Sequence, residues 1–207
     1  QENIGFAKGN NIGIRYVLQE GAAEYIILLN QDTVVEENFL QEGIRLLKVK
    51  DIGIVSPKIK FYNSNLIWFG GGKLLRGKEL FSQLTFKIAF NLGKFEEDKG
   101  QFGEIKEVDS VTGCALFTKR EVLEEVGLLD ERFFFYGEDT EWCLRCGKAG
   151  YKIYFTPGTT VFHKASEKEN LKRGFSKNLV KRRFNYLCGV VKIVNKHFKL
   201  YEKFIWL

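Results

Sequence analysis

The chain has 207 residues, of which 44% are hydrophobic and 28% charged, with 2 Pro and no biased tract. That composition excludes wholesale disorder, collagen-like repeats and a coiled coil, and no run of about 18 uncharged apolar residues marks a membrane-spanning helix. The net charge of +6 is unevenly placed: residues 164–207 carry 12 basic side chains against 3 acidic ones, so the basic character belongs to the C-terminal stretch.

In chain order, the apolar spacing predicts a helix over Ile12–Glu20, ended near Gly21. The continuous run Tyr25–Leu29 reads as a strand buried on both faces, as in a parallel sheet, and stops at Asn30-Gln31-Asp32. A second helix is expected over Glu36–Lys48 and a strand over Ile52–Pro57. Strand, helix, strand in this order indicates an α/β domain. Residues 61–108, broken by Gly70, Gly71 and Gly72, read as short antiparallel strands and loops. Strand character returns over Val108–Phe117, followed by helices over Glu121–Val126 and Asp139–Ala149. Two strands, Tyr151–Phe155 and Thr159–His163, are expected around Pro157.

At the C-terminus, Leu187, Val190, Val191, Val194, Phe198, Tyr201 and Ile205 recur at steps of three or four, with lysines between them. This is an amphipathic helix with a basic polar face. Three surfaces suit such a helix: the domain itself or a partner subunit, an anionic membrane, or nucleic acid. Nucleic acid ranks last because no recognition motif accompanies the charge. Cys114, Cys143, Cys146 and Cys188 make no disulfide framework. Cys143 and Cys146 lie inside an expected helix with no second ligand pair for zinc, so they read as free thiols of a reducing compartment.

Three features carry chemistry. Asn30-Gln31-Asp32 sits where a buried strand ends, the position at which open α/β sheets bind ligands, and a carboxylate there can hold a hard cation. Glu138 and Asp139 open a helix directly after Phe133, Phe134, Phe135 and Tyr136; an apolar wall beside a carboxyl raises its pKa and suits it to base catalysis. His163 ends a predicted strand and could complete a metal shell with Asp32, although spacing alone does not bring the two together.

These segments together resemble the family 2 glycosyltransferases, in particular a bacterial rhamnosyltransferase-like branch that builds cell-surface polysaccharides. The likeness runs in order through residues 2–13, 28–33, 111–116, 126–145 and 150–153 to His163. It implies a GT-A fold: a mixed sheet flanked by helices over residues 1–165, followed by a basic helical tail over 166–207. It places Asn30-Gln31-Asp32 on a DXD-type metal motif whose first acid is Asn, with Asp32 and His163 as ligands of Mg²⁺ or Mn²⁺. It makes Asp139, beside Glu138, the general base. Asn3, Gly5, Lys8 and Asn11, with Asn30 and Asp32, fall on the donor side. Thr112, Gly113 and Trp142 fall on the sugar and acceptor side, where Trp142 is either an aromatic surface or core.

The implied donor is a UDP- or dTDP-sugar, transferred with inversion to a saccharide or lipid-linked acceptor. The implied location is cytoplasmic or peripheral at the inner face of the plasma membrane, with contact through residues 185–207. The chain contains no Met and opens at Gln1, and the family's first strands, with their nucleobase-contacting acids, are expected upstream of it. The alternative is a non-catalytic carbohydrate-binding or scaffold fragment of the same fold.

Overall fold

The computed structural model describes residues 2–74, 89–164 and 177–197. Its elements in chain order are α1 (Phe6–Glu20), β1 (Tyr25–Leu29), β2 (Thr33–Val35), α2 (Phe39–Leu47), β3 (Ile52–Phe61), β4 (Ile67–Phe69), β5 (Gly72–Leu74), β6 (Ala89–Asn91), β7 (Lys106–Glu107), β8 (Ala115–Lys119), α3 (Arg120–Val126), α4 (Glu138–Lys148), β9 (Lys152–His163) and α5 (Lys177–His197). Strands β1-β8-β3-β9-β2 form one sheet in that order, with β4 added to β3 and β7 to β9; β5 and β6 form a separate ribbon. The β3–β9 pair is parallel and the other pairs are antiparallel, so the sheet is mixed.

The strand registers show which face each helix covers. Directly opposed residues of an antiparallel pair share a face. Ile27 opposes Phe117, and Phe117 packs on α2, its ring 4.6 Å from that of Phe39. Gly43 of α2 leaves room for this ring, since a Cβ there would lie 2.3 Å from it. Ile26 opposes Thr118 and Leu28 opposes Leu116 on the other face. There Ile14 of α1, Leu123 of α3, Leu129 and Trp142 of α4 close around one small void with Ile26 and Leu28. The sheet is therefore the middle layer, with α2 on one side and α1, α3 and α4 on the other.

Four sequence expectations are corrected. The first helix begins at Phe6, not Ile12, so Lys8 and Asn11 are helical; Gly21 ends it in the left-handed conformation at φ 77°. Strand β1 is not a parallel strand buried on both faces. It pairs antiparallel with β8 at one end of the strand order, and its burial alternates. The stretch 108–114 approaches the core as irregular chain, and the strand starts only at Ala115. The two strands expected around Pro157 are one long β9. Pro57 of β3 pairs with Thr156 and Lys58 with Thr160, so Pro157, Gly158 and Thr159 bulge out of the ladder. Proline lacks the N–H that a continuous ladder would require.

The C-terminal helix packs on the domain. Val190, Ile193 and Val194 are buried with Phe133, against Leu144 and Tyr186. The expected stripe is thereby split. Leu187 and Val191 face outward with Val180 and Phe184, and Ile193, absent from the predicted stripe, is buried. Phe198, Tyr201 and Ile205 lie outside the described residues. The four cysteines are free; burial pushes the Cys146 thiol up to about 12 and raises those of Cys114 and Cys143 as well, so all three are inert packing groups.

Candidate active site

Asp32 lies in the turn between β1 and β2. The Thr33 hydroxyl donates to the Asn30 carbonyl at 2.6 Å, and the Asn30 N–H donates to the Cys114 carbonyl at 2.9 Å, which pins the turn to the start of β8. Beyond the turn, β2 pairs with β9 so that Thr33 opposes His163, and the Lys164 N–H donates to the Asp32 carbonyl at 2.8 Å. This register brings Asp32 Oδ2 to 3.2 Å from His163 Nε2. The Asp32 side chain is 49% exposed, while His163 is buried with no partner for its Nδ1 among the described residues.

Burial holds the imidazole below its ordinary pKa against the opposing pull of Asp32, so it is neutral at pH 7. A neutral imidazole and a half-exposed carboxylate are a nitrogen and an oxygen donor on one open face. They fit a divalent cation, Mn²⁺ better than Mg²⁺ by ligand type. Among the described residues no cluster of three His, Cys, Asp or Glu groups forms. Trp68 of β4 stands edge-on to the His163 ring at 4.8 Å, with Lys94 Nζ 5.1 Å from the Trp68 ring centre. Sequence reasoning missed both, because residues 61–108 carry no period that would place them.

The second half of the site is the first turn of α4. Two left-handed residues precede it, Tyr136 at φ 74° and Gly137 at φ 96°. Of the four aromatics expected to wall the acids, only Phe133 is buried; Phe134 and Phe135 are 43% and 42% exposed. Phe135 stands edge-on to both Phe6 and Tyr136.

Asp139 Oδ2 accepts from the Gly113 N–H at 3.1 Å and Oδ1 from the Thr140 N–H at 2.7 Å. Glu138 is buried, and its Oε2 has no partner among the described residues. Burial, and then the neighbouring Asp139 charge, raise Glu138 to about 8. Burial also raises Asp139, against the backbone bonds from Gly113 and Thr140. Two adjacent carboxyls, Glu138 buried and Asp139 half-buried, do not both ionise near neutrality, and at Glu138 desolvation and the neighbouring Asp139 charge outweigh the backbone bonds it also accepts. The negative charge therefore rests on Asp139, and Glu138 holds the proton.

Adjacent residues join the two halves. Cys114 accepts from the Asn30 turn, and Gly113 donates to Asp139. Gly113 has no side chain to spare: a Cβ would lie 2.7 Å from the Phe6 ring. Thr112 steadies the turn through a bond from the Cys114 N–H to its hydroxyl at 3.3 Å. Asn3 accepts from the Gly5 N–H at 3.0 Å, and the Phe6 N–H donates to the Phe134 carbonyl at 2.9 Å. Residues 3–6 are thus docked on the loop that leads to the acids. Gly5, at φ 88°, is required there, since a Cβ would lie 2.5 Å from that same carbonyl.

Lys8 is exposed on α1. Asn11 is buried, its amide donating to the Leu129 carbonyl and to Glu131 and accepting from the Leu129 N–H, so the structure gives it a bracing role. Trp142, placed on the acceptor side as surface or core, is core: it is 1% exposed and donates to the Gly127 carbonyl at 2.8 Å.

The sequence pattern of Glycosyl transferase family group 2 matches residues 25–207. The chain belongs to this family. It is 32% identical to the dTDP-rhamnosyl transferase RfbF of Shigella flexneri over 80% of the chain and 51% of that protein. It is 29% identical to the low-salt glycan biosynthesis hexosyltransferase Agl10 of Haloferax volcanii over 73% of the chain and 46% of that protein. Rhamnosyltransferase WbbL of Escherichia coli is 26% identical over 94% of the chain and 74% of its own length. The chain thus spans about half the length of the first two of these relatives. Among solved structures, GalNAc-T7 with UDP, GalNAc and Mn²⁺ superposes over 100% of this chain and 37% of its own at a TM-score of 0.65 and 18% identity, a likeness that shows the GT-A fold. The sequence likeness is to the rhamnosyltransferase-like branch of family 2, and the fold is GT-A.

Proposed function

We propose that the protein moves a sugar from a nucleoside-diphosphate donor, UDP- or dTDP-linked, to a hydroxyl of a saccharide or lipid-linked acceptor, with inversion, in the synthesis of a cell-surface polysaccharide at the cytoplasmic face of the membrane. The observation that carries this reading is the pair of bonds at Gly113 and Cys114, which tie a carboxylate with raised proton affinity to the turn that holds Asp32 against His163. In the reaction, the acceptor oxygen forms a bond to the anomeric carbon. The carbon–oxygen bond to the diphosphate breaks with its electron pair going to the leaving group, and the acceptor proton passes to Asp139. A single displacement of this kind inverts the anomeric centre.

Asp139 is suited to the step because it holds the charge of its pair and is oriented by two backbone N–H groups. Glu138, kept protonated, adds no second charge beside it. Asp32 and His163 would hold Mn²⁺ or Mg²⁺, which supplies positive charge toward the diphosphate when bound. Asn3 and Gly5, just before α1, and Lys8 in its first turn stand on the donor side, and Thr112 and Gly113 on the sugar side. Titration of the intact protein with UDP and dTDP in the presence of Mn²⁺, followed by transfer from the corresponding sugars, tests the reading. No nucleotide binding and no transfer would instead favour a non-catalytic carbohydrate-binding or scaffold protein.

A second observation favours membrane contact. Val180, Phe184, Leu187 and Val191 form an exposed stripe at helical spacing on α5, about a third of a turn from its buried face, with exposed Lys181 and Arg183 beside it. Among the described residues no helix is long and apolar enough to cross a membrane, so contact would be at the surface. Flotation with vesicles containing anionic phospholipid should carry the protein upward, and replacing Phe184 and Leu187 by Ser should release it. Equal flotation of both forms would exclude the stripe.

A further inference from the structure

The α5 helix touches the chain segment that ends in the two acids at three levels. At its middle, Gly189 lies so close to the backbone of Tyr136 that a Cβ would be 2.5 Å from the Tyr136 carbonyl oxygen and 3.8 Å from Gly137 Cα. Next, Ile193 packs beside Gly137 and Phe133, and Lys192 Nζ sits 5.3 Å from the centre of the Phe133 ring and donates to the Arg132 carbonyl. Near its end, Lys196 reaches Asp130 at 3.0 Å and the fully buried Glu141 at 2.7 Å, and His197 meets the same Glu141 oxygen at 3.0 Å. The anchors thus run from Asp130, before the aromatic run, through the left-handed turn Tyr136–Gly137, to Glu141, one residue past Thr140.

That turn needs support. Tyr136 is a bulky residue at φ 74°, a conformation that is held only where surrounding structure enforces it. It sits two residues before Glu138 and three before Asp139, so any relaxation of it swings the first turn of α4. Glycine at 189 is what permits the close approach: every other side chain would push the helix off the Tyr136 carbonyl.

We infer that α5 is a buttress of the catalytic turn, with Gly189, Lys196 and His197 acting as positioning residues that hold Tyr136–Gly137 left-handed and so keep Asp139 on the Gly113 amide. The inference rests on the proposed transferase reading for its consequence in catalysis, while its structural content stands apart from it.

The test compares Gly189→Ala with the intact protein by amide hydrogen exchange and by kinetics. The Gly113 amide, bonded to Asp139 Oδ2, should exchange at least about ten times faster in Gly189→Ala, while the β3 amides of Ile54 and Val55 keep their rates. Displacements of about 1 Å at a catalytic group cost on the order of 10²-fold in turnover, so kcat should fall by about that factor with the donor KM unchanged. Gly147→Ala, a helical glycine of α4 with nothing within 4 Å of an added Cβ, should leave both readouts alone.

Uniformly faster exchange across β3 as well would show general loosening and overturn the inference. So would unchanged exchange at Gly113 in the folded variant. Should Gly189→Ala fail to fold, Lys196→Met gives the same two readouts. If the unaltered protein transfers no sugar, the transferase reading falls, and the exchange result alone still decides the buttress.

Discussion

The two halves of the site meet at Gly113 and Cys114 but are built by opposite means. Asp32 and His163 are set by a sheet. Register, a Thr33 staple and a bond from Lys164 fix them, and the Asp32 side chain is half open to solvent. Glu138 and Asp139 are set by a strained loop, two left-handed residues and a helix packed from outside, and Glu138 is buried. Backbone ladders give a rigid, solvated place where an incoming ligand can complete a coordination shell. Burial in a braced loop gives control of proton affinity, which an open strand end does not. On the proposed reading one half serves binding and the other proton transfer, and each can be broken separately.

The largest separation should come from Asp139→Asn. The amide keeps the shape and one acceptor for the Gly113 N–H but cannot take a proton, so kcat should fall by about 10²–10⁴-fold. The nucleotide dissociation constant should change by less than about threefold. Retained turnover, measured by release of nucleoside diphosphate, would remove Asp139 from the base role.

Asp32→Ala should do the reverse. If Asp32 and His163 hold the cation as proposed, removing Asp32 should weaken Mn²⁺-dependent nucleotide binding by about 10²-fold, since a bound cation contributes several kcal/mol toward a polarised phosphoryl oxygen. Paramagnetic broadening of the His163 ring resonances by Mn²⁺ gives a readout without turnover. It should be strong in the unaltered protein and largely lost in Asp32→Ala, while the Asp139→Asn protein keeps it. Broadening that survives Asp32→Ala would separate His163 from Asp32 as a ligand pair.

Glu138→Gln probes burial without touching either role. The Glu138 midpoint is raised from 4.5 to about 8 in the folded protein. Between those values the folded state binds a proton that the unfolded state has released, so stability falls as pH rises through that window and is level on either side. Gln never ionises and escapes the loss. The variant should match the unaltered protein near pH 4 and exceed it near pH 9 by about 4–5 kcal/mol. Urea midpoints at the two pH values measure this, and equal differences at both would mean that Glu138 titrates as an ordinary carboxyl.

How far the sequence reveals these two halves follows from the same contrast. The acids at 138 and 139, the Asn30–Asp32 turn and the strand ending at His163 are legible because helix starts and strand ends leave local signals in composition. The meeting of Asp32 with His163 is not legible: it depends on β2, a three-residue strand too short to show a period, pairing across 130 positions with the end of β9. The antiparallel setting of β1 is hidden for a related reason, since Tyr-Ile-Ile-Leu-Leu satisfies a buried parallel strand equally well. The split of the α5 stripe is hidden because apolar residues at steps of three or four fit two adjoining faces. Only the partner surface, here Phe133 and Glu141, selects Val190, Ile193 and Val194 over Leu187 and Val191.

Trp142 gives the smallest and most selective test, because its chemistry and its place disagree. An aromatic three residues after the proposed base looks like a sugar platform. In the fold, however, it points into the layer between α4 and the sheet, with its Nε1 on the Gly127 carbonyl. Trp142→Phe keeps an aromatic ring while removing that bond and part of the ring volume. A lost hydrogen bond contributes about 1 kcal/mol, and the small void already beside the ring limits how well the site can collapse. Stability should therefore drop by about 1–3 kcal/mol with acceptor KM and kcat unchanged at a temperature where the variant is folded. A raised acceptor KM with unchanged stability would place Trp142 on the acceptor surface, and the boundary between core and site would then have to move inward past α4.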